Sequence, residues 1–256
     1  STDGGETWTI FENGPQKCRA IAIHPLNPNV VYVGTNGNGI YKTIDGGVTW
    51  EHVKPEGHFL TIAIDPKFTS TIYTVWGDVY RSTDGGRSWS KVPDLQGGSE
   101  PRLAVSPDAV WLECDSNALY RTTDGGETWE QIQPEGMPDY YVEFRAIVID
   151  PTDPRVILMG GGDGVYRSTD GGHTWVQSNQ GLTALNFQSF DGSAIAVDPA
   201  SPNKIYCATG TGYANTGLAF KSTNGGDDWT RLTLPSGLWG SSWSLAISPA
   251  SPDVIY

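Results

Sequence analysis

Cysteine is scarce: Cys18, Cys114 and Cys207 are the only three in 256 residues, an odd number spread over distant segments. That pattern excludes a disulfide framework and a clustered thiolate metal site, and the three are read as small buried hydrophobes. Basic side chains are also few, 16 against 29 acidic ones, for a net charge of −13. Such a field repels phosphate backbones and anionic bilayer surfaces, so nucleic acid is excluded as a partner. Long apolar runs are missing too: none approaches the roughly 20 residues of a membrane-spanning helix, and membrane insertion is not expected. The four histidines, His24, His52, His58 and His173, lack metal-ligand spacing. There is no G-x-S-x-G elbow, phosphate-binding loop or paired-cysteine motif, and no metal or cofactor is implied.

What the chain has in quantity is Gly (32), Pro (17), Trp (10) and Tyr (11). That mixture predicts many short strands joined by tight turns. One octapeptide returns six times: STDGGETW (1–8), TIDGGVTW (43–50), STDGGRSW (82–89), TTDGGETW (122–129), STDGGHTW (168–175) and STNGGDDW (222–229). Its tryptophans, Trp8, Trp50, Trp89, Trp129, Trp175 and Trp229, are spaced at 39 to 54 residues, which predicts one four-stranded propeller blade per repeat. In the first full period the four strands are Ala20–His24, Val30–Thr35, Gly39–Lys42 and Thr49–Val53. First and second strands recur at Thr61–Asp65 and Thr71–Trp76, Arg102–Ser106 and Ala109–Cys114, Ala146–Asp150 and Val156–Gly160, and Ala194–Asp198 and Lys204–Ala208.

The ends are complementary. Ser244–Ser248 and Asp253–Tyr256 supply two strands of a sixth blade, and Ser1–Ile10 supplies a turn and a fourth strand. The expectation is an all-β, single β-propeller domain over residues 1–256, of about six four-stranded blades, closed into a ring by strands from both termini. A start inside a repeat, without Met, also fits an excerpt of a larger propeller or multi-propeller protein.

The octapeptide works as a hairpin device. Its Asp or Asn (Asp3, Asp45, Asp84, Asp124, Asp170, Asn224) accepts backbone N–H bonds within its own turn, the glycines supply positive φ, and Trp buries a large ring. The motif resembles the Asp-box (BNR) repeat S-x-D-x-G-x-T-W of sialidases, xyloglucanase-like glycoside hydrolases of family 74 and sortilin-type receptors. The phrases AIAIHPLNPNVVYVGTNGNGIYKTIDGGVTW (20–50) and AIVIDPTDPRVILMGGGDGVYRSTDGGHTW (146–175) are most similar to the xyloglucanase type. The resemblance implies that the boxes are structural and lie away from any catalytic face. One carboxylate per isolated turn also falls short of the six to eight oxygens calcium takes.

Function is therefore expected on the opposite face, formed by the loops between strands two and three and by the crossovers between blades. The long crossovers 134–144 and 179–192, the loop 209–217 and the last crossover carry Tyr140, Tyr141, Phe144, Phe187, Phe190, Tyr213, Trp239 and Trp243. Exposed, these rings suit stacking on sugar faces or a protein hot spot; packed, they fill the channel or join blades. Arg19, Arg102 and Arg145 stand at or just before first strands. They form either a carboxylate clamp like the sialidase arginine triad, although the sialidase Arg-Ile-Pro signature is absent, or partners of Glu12, Glu100 and Glu143. Glycoside hydrolysis needs two opposed carboxyl groups. The acids on the expected face are Asp78, Asp115, Glu143, Asp163 and Asp191, of which Asp163, Asp78 and Glu143 are the catalytic candidates. Family 74 enzymes carry a catalytic Asp in a T-D-x-G-G-x-Y-like loop after strand two, and Asp163 in GGGDGVYR occupies a similar loop at a shifted position. The leading expectation is an extracellular or periplasmic binding propeller presenting aromatic crossovers to a polysaccharide or protein. Its alternatives are a glycoside hydrolase acting on xyloglucan-type β-glucan, and a repeat scaffold without a ligand.

Overall fold

A computed structural model describes residue 7 and residues 13–54, 56–98, 101–114, 118–138, 144–161, 163–182, 190–211, 217–233 and 245–247, with the backbone alone for 190–193, 209–211 and 217. Among the described residues there is no helix; nineteen strands make five antiparallel meanders. The first sheet is β1 (Cys18–Ile23), β2 (Val31–Thr35), β3 (Ile40–Thr43) and β4 (Glu51–Lys54); the second is β5 (Thr61–Ile64), β6 (Ile72–Ser82) and β7 (Ser90–Gly98). The third is β8 (Arg102–Ser106), β9 (Ala109–Cys114), β10 (Ala118–Thr122) and β11 (Glu130–Ile132). The fourth is β12 (Phe144–Ile149), β13 (Ile157–Gly161), β14 (Gly164–Ser168) and β15 (Val176–Gln177), and the fifth is β16 (Phe190–Val197), β17 (Ile205–Thr211), β18 (Gly217–Ser222) and β19 (Thr230–Arg231).

Two compact units divide the chain, Ser1–Asp115 with Tyr120–Glu130 and Ser116–Leu119 with Gln131–Tyr256. In the first unit, Tyr32, Ile40 and Phe59 of the first sheet and its crossover pack on Ile62, Ile64 and Ile72 of the second. Farther along it, Tyr73 and Ala63 pack with Val110. In the second unit, Leu158, Val165, Ile195, Cys207 and Phe220 form the equivalent layer between sheets four and five. The inner strands are buried on both faces, as in β9 (Ala109–Cys114) and β13 (Ile157–Gly161), which is what a sheet packed between neighbours requires.

Four of the five sheets match the expected four strands. The second differs: β6 is continuous, its residues 72–75 pairing with β5 and its residues 77–81 with β7. Its link, Val75-Trp76-Gly77-Asp78, is shorter than the Thr35–Gly39 link of the first sheet, and Gly77 at φ 66° absorbs the change of direction without a separate loop. The strands expected at both termini lie almost wholly outside the described residues. Cys114 and Cys207 are buried as expected, with burial pushing the Cys207 thiol up to about 12, whereas Cys18 is exposed.

Two turn devices hold the first, second, fourth and fifth sheets on one side. In the first, a residue before Pro caps the turn from strand one to strand two. The Asp65 carboxylate accepts from the Lys67 and Phe68 N–H groups, Asp198 does so from Ala200 and Ser201, and His24 Nδ1 accepts from Leu26. In the second, an octapeptide glycine donates its N–H to that same turn: Gly46 to Asn29, Gly85 to Ser70, Gly171 to Arg155 and Gly225 to Asn203. The octapeptides thus share one side with the one-to-two turns.

Candidate functional site

In the described octapeptides the Asp or Asn is bonded within its own turn, although the buried Trp129 Nε1 of the 122–129 box has no hydrogen-bond partner among the described residues. In 43–50 the Thr43 hydroxyl donates to Asp45 Oδ1 at 2.7 Å, and the Thr49 N–H and hydroxyl donate to the same carboxylate at 2.9 and 2.6 Å. Gly47 N–H donates to Thr43 Oγ1, and Trp50 Nε1 donates to the Gly47 carbonyl. The pattern repeats around Asp84 and Asp170, with Trp89 and Trp175 bonded in the same way, and around Asp124. Asn224 Oδ1 accepts from the Ser222 hydroxyl and the Asp228 N–H, but its Nδ2 donates to the Asp228 carboxylate, reversing the side-chain bond of the other boxes, and Trp229 Nε1 donates instead to the Ser178 carbonyl. Bonds from the Thr or Ser hydroxyl, then from its backbone N–H, hold the Asp45, Asp84 and Asp170 carboxyls at about 2; the Thr128 hydroxyl does the same for Asp124. Carboxylates this fully bonded have little acceptor capacity left for a ligand. Asp3 and Trp8 lie outside the described residues.

The boxes also join sheets. Tyr32 and Lys42 both donate to the carbonyl of Gly85, in the next sheet's box, and Lys42 lies over the Tyr32 ring. Arg81 donates to the Gly126 carbonyl and pairs with Glu127, and Arg167 pairs with Asp227. The sequence signal for this staple is a basic residue directly before a box, which reaches the next box from Lys42, Arg81 and Arg167, whereas Arg121 pairs with Asp108 and Lys221 lies over Tyr206 within their own sheets.

On the other side, the loop Asn36–Gly39 and the crossover Gly57–Leu60 are locked together. Asn36 and His58 form a bridge, Gly39 N–H donates to the Gly57 carbonyl, and Phe59 N–H donates to Thr35. This lock presents Trp76, which is 47% exposed, at the midpoint of β6. Its ring lies 5.7 Å from His58 and stands edge-on to the buried Phe59 at 6.2 Å; Phe59 stands edge-on to Tyr80 in turn. His58 Nδ1 bonds to Asn36 Oδ1 at 2.5 Å. Gly57, at φ +123°, is required here: a Cβ would come within 2.6 Å of the Phe59 ring and 2.9 Å of Trp76. Asp78, two residues beyond Trp76, is half-buried and pairs with Lys91 at 2.6 Å. The result is a pre-positioned aromatic platform beside the His58 imidazole, which is itself bonded to the Asn36 amide. The sequence signal was WGD in a shortened link, where only Asp78 had been singled out.

The other expected site residues fall as follows. Arg19 is exposed on β1 and Arg145 half-buried on β12, each as the extra residue of a β-bulge at the same point of its strand. Arg102 opens β8 in regular register directly across from the buried Glu113, so the three arginines are not equivalent. Asp163 is half-buried: the Tyr166 hydroxyl donates to its Oδ2 at 2.5 Å, and Gln177 and Asn179 donate to its carbonyl. Asp78, Arg19 and Arg102 belong to the first unit, Asp163 and Arg145 to the second. Tyr140, Tyr141, Glu143, Phe187, Trp239 and Trp243 lie outside the described residues, as do Asp115 and Tyr213. The first residues of the long crossovers are tied to the neighbouring repeat. Glu135 exchanges backbone bonds with His173 and Trp175, and the Gln180 carbonyl accepts from Trp229, so both start against the next box. Gly136 and Gly181 allow that approach, since a Cβ there would meet the carbonyl of Trp175 or Trp229.

The BNR/Asp-box repeat family model matches residues 80–91 and 120–131, and the chain carries Asp-box repeats. Xyloglucanase Xgh74A of Acetivibrio thermocellus is 34% identical over 41% of this chain and 17% of its own length. A xyloglucanase of a Paenibacillus species is 26% identical over 91% of the chain and 23% of its own length. The chain thus spans less than a quarter of either enzyme. Among solved structures, an ancestral GH74 enzyme superposes with a TM-score of 0.71 at 18% identity, covering 96% of this chain and 35% of that one. That likeness shows an all-β, propeller-like fold.

Proposed function

We propose that the chain is a polysaccharide-recognising part of a xyloglucanase-like glycoside hydrolase, holding a neutral β-glucan chain on the side of its two-to-three loops. The observation that carries this reading is the Trp76 platform. A half-exposed indole backed by a buried ring offers a fixed π face to the slightly positive C–H faces of a sugar. His58, Asn36 and Asp78 supply the hydrogen bonds that fix orientation. The net charge of −13 disfavours acidic glycans and leaves neutral ones. Tyr140, Tyr141, Phe187, Trp239 and Trp243 are proposed as ligand-contacting rings on the strength of the sequence alone, and Arg19, Arg102 and Arg145 as partners of sugar hydroxyls. An extracellular or periplasmic location follows from this reading.

Affinity electrophoresis through a gel containing xyloglucan tests it. The wild-type chain is retarded, and Trp76→Ala loses about tenfold or more in affinity, as removal of a central aromatic anchor does. Equal retardation of both proteins, or none of either by any neutral β-glucan, counts against it.

A second reading, hydrolysis by this chain, is favoured by the bond from Tyr166 that orients the Asp163 carboxylate. It needs a second carboxyl about 5–5.5 Å away for retention or roughly 6.5–9.5 Å for inversion. It predicts release of reducing ends from xyloglucan that disappears in Asp163→Asn.

A further inference from the structure

The exposed imidazole of His58 has one ring nitrogen bonded and one open. Its Nδ1 lies 2.5 Å from Asn36 Oδ1, and among the described residues Nε2 meets no hydrogen-bond partner. An amide oxygen only accepts, so the neutral ring carries its proton on Nδ1 and presents a lone pair at Nε2. Imidazole side chains free in water favour the other tautomer, so Asn36 imposes this one. Asn36 is held in turn: it forms a backbone bridge with His58, and its N–H donates to the Lys17 carbonyl at 2.9 Å. Lys17 stands at φ 56°, a left-handed backbone that a residue with a side chain keeps only where its surroundings enforce it. The ring is fixed from two more sides. It lies over Gly37, where a Cβ would come within 3.4 Å of its Cε1, and its centroid is 5.7 Å from that of Trp76 with 43° between the planes.

We propose, resting on the platform reading above, that Asn36 orients His58 so that Nε2 accepts a hydroxyl of the sugar stacked on Trp76. His58 is then a specificity-determining residue, and the ligand it selects carries a free hydroxyl in the plane of the stacked ring. A pyranose lying on an indole directs its equatorial hydroxyls outward in its own plane, toward the rim where the imidazole stands. An axial or alkylated hydroxyl brings no proton there and leaves a fixed lone pair without its donor. Asn36 is a positioning residue: its amide oxygen is engaged by the imidazole, and it acts on the sugar through His58.

Nitrogen-15 NMR and titration calorimetry together test this. At pH 8, long-range proton–nitrogen correlation of the His58 ring, assigned by its loss in His58→Phe, is expected to show the proton on Nδ1. In Asn36→Ala it moves to Nε2, and Asn36→Asp, whose carboxylate accepts the same bond, returns it to Nδ1. Against xyloglucan oligosaccharides, His58→Phe and Asn36→Ala each bind about tenfold more weakly than the wild-type chain, as loss of one hydrogen bond does. The double variant binds no more weakly than either single one, and Asn36→Asp recovers the affinity. A proton on Nε2 in the wild-type chain overturns the proposal, and so do additive losses in the double variant, which would put Asn36 on the sugar itself. Unchanged affinity in His58→Phe with loss in Trp76→Ala overturns it and leaves the platform reading standing. Unchanged affinity in both variants overturns the two together.

Discussion

If the box glycines are fixed by the aromatic residue of the sheet before them, adding one methyl at the right glycine should cost far more than adding it at another with the same backbone. Gly126, the second glycine of the 122–129 box, sits at φ +82°, and a Cβ there would lie 2.7 Å from the Tyr73 hydroxyl oxygen and 2.8 Å from its ring. Tyr73 is fully buried and stands edge-on to Trp129 at 5.5 Å, so it has nowhere to move. Gly126→Ala therefore carries a left-handed backbone cost of about 1–2 kcal/mol plus an overpacking cost of about 1–3 kcal/mol, together roughly 2–5 kcal/mol. Gly77 has a similar φ of +66°, but its Cβ would meet nothing within 4 Å, so Gly77→Ala carries only the first cost of about 1–2 kcal/mol. Gly125→Ala lies between them, because its Cβ meets only the partly exposed Phe68 at 3.1 Å. Urea unfolding followed by tryptophan fluorescence reads all three, provided the m-value is unchanged. Equal destabilisation by Gly77→Ala and Gly126→Ala would refute the interlock and reduce both to backbone strain.

Other expectations follow from the same geometry. The folded-state carboxyls of Asp45, Asp84, Asp124 and Asp170 titrate at about 2, below the ordinary range near 4, so their contribution to stability is complete above about pH 4 and is lost as pH falls from there toward 2. Chemical denaturation across that window shows the slope, to which Asp153 and Asp198 also contribute, and Asp84→Asn, which copies position 224, removes one of its sources. Lys42→Met keeps the stem over Tyr32 but loses the bond to the Gly85 carbonyl, and should lower stability by about 1 kcal/mol in the same urea assay. An Ellman titration of the native chain should find one reactive thiol, Cys18, and three after denaturation; early reaction of Cys114 or Cys207 would contradict their burial.

Most of the strands and the whole box device were legible because each rests on local chemistry. The short apolar runs in AIAIHP and VVYVGT mark strands, and T-x-D-G-G-x-T-W fits only a turn with two positive φ values. What escaped depends on relations between distant segments. The bulges that single out Arg19 and Arg145 but not Arg102 are properties of the pairing with β2, β13 and β9, and each strand alone reads as regular. The fusion of two strands into β6 follows from a shortened link whose glycine takes up the turn. Trp76 was read as the end of a strand because nothing adjacent in sequence reveals that Gly57, His58 and Phe59 come to lie against it.

The claim that function lies on the side of the two-to-three loops, away from the Asp boxes, is tested most directly by hydrogen exchange with and without xyloglucan oligosaccharides. The account predicts slowed exchange in peptides spanning 36–39, 57–60 and 75–79, and none in the box peptides 43–50 and 82–89. Protection confined to the boxes, with the Trp76 peptides unchanged, would contradict it.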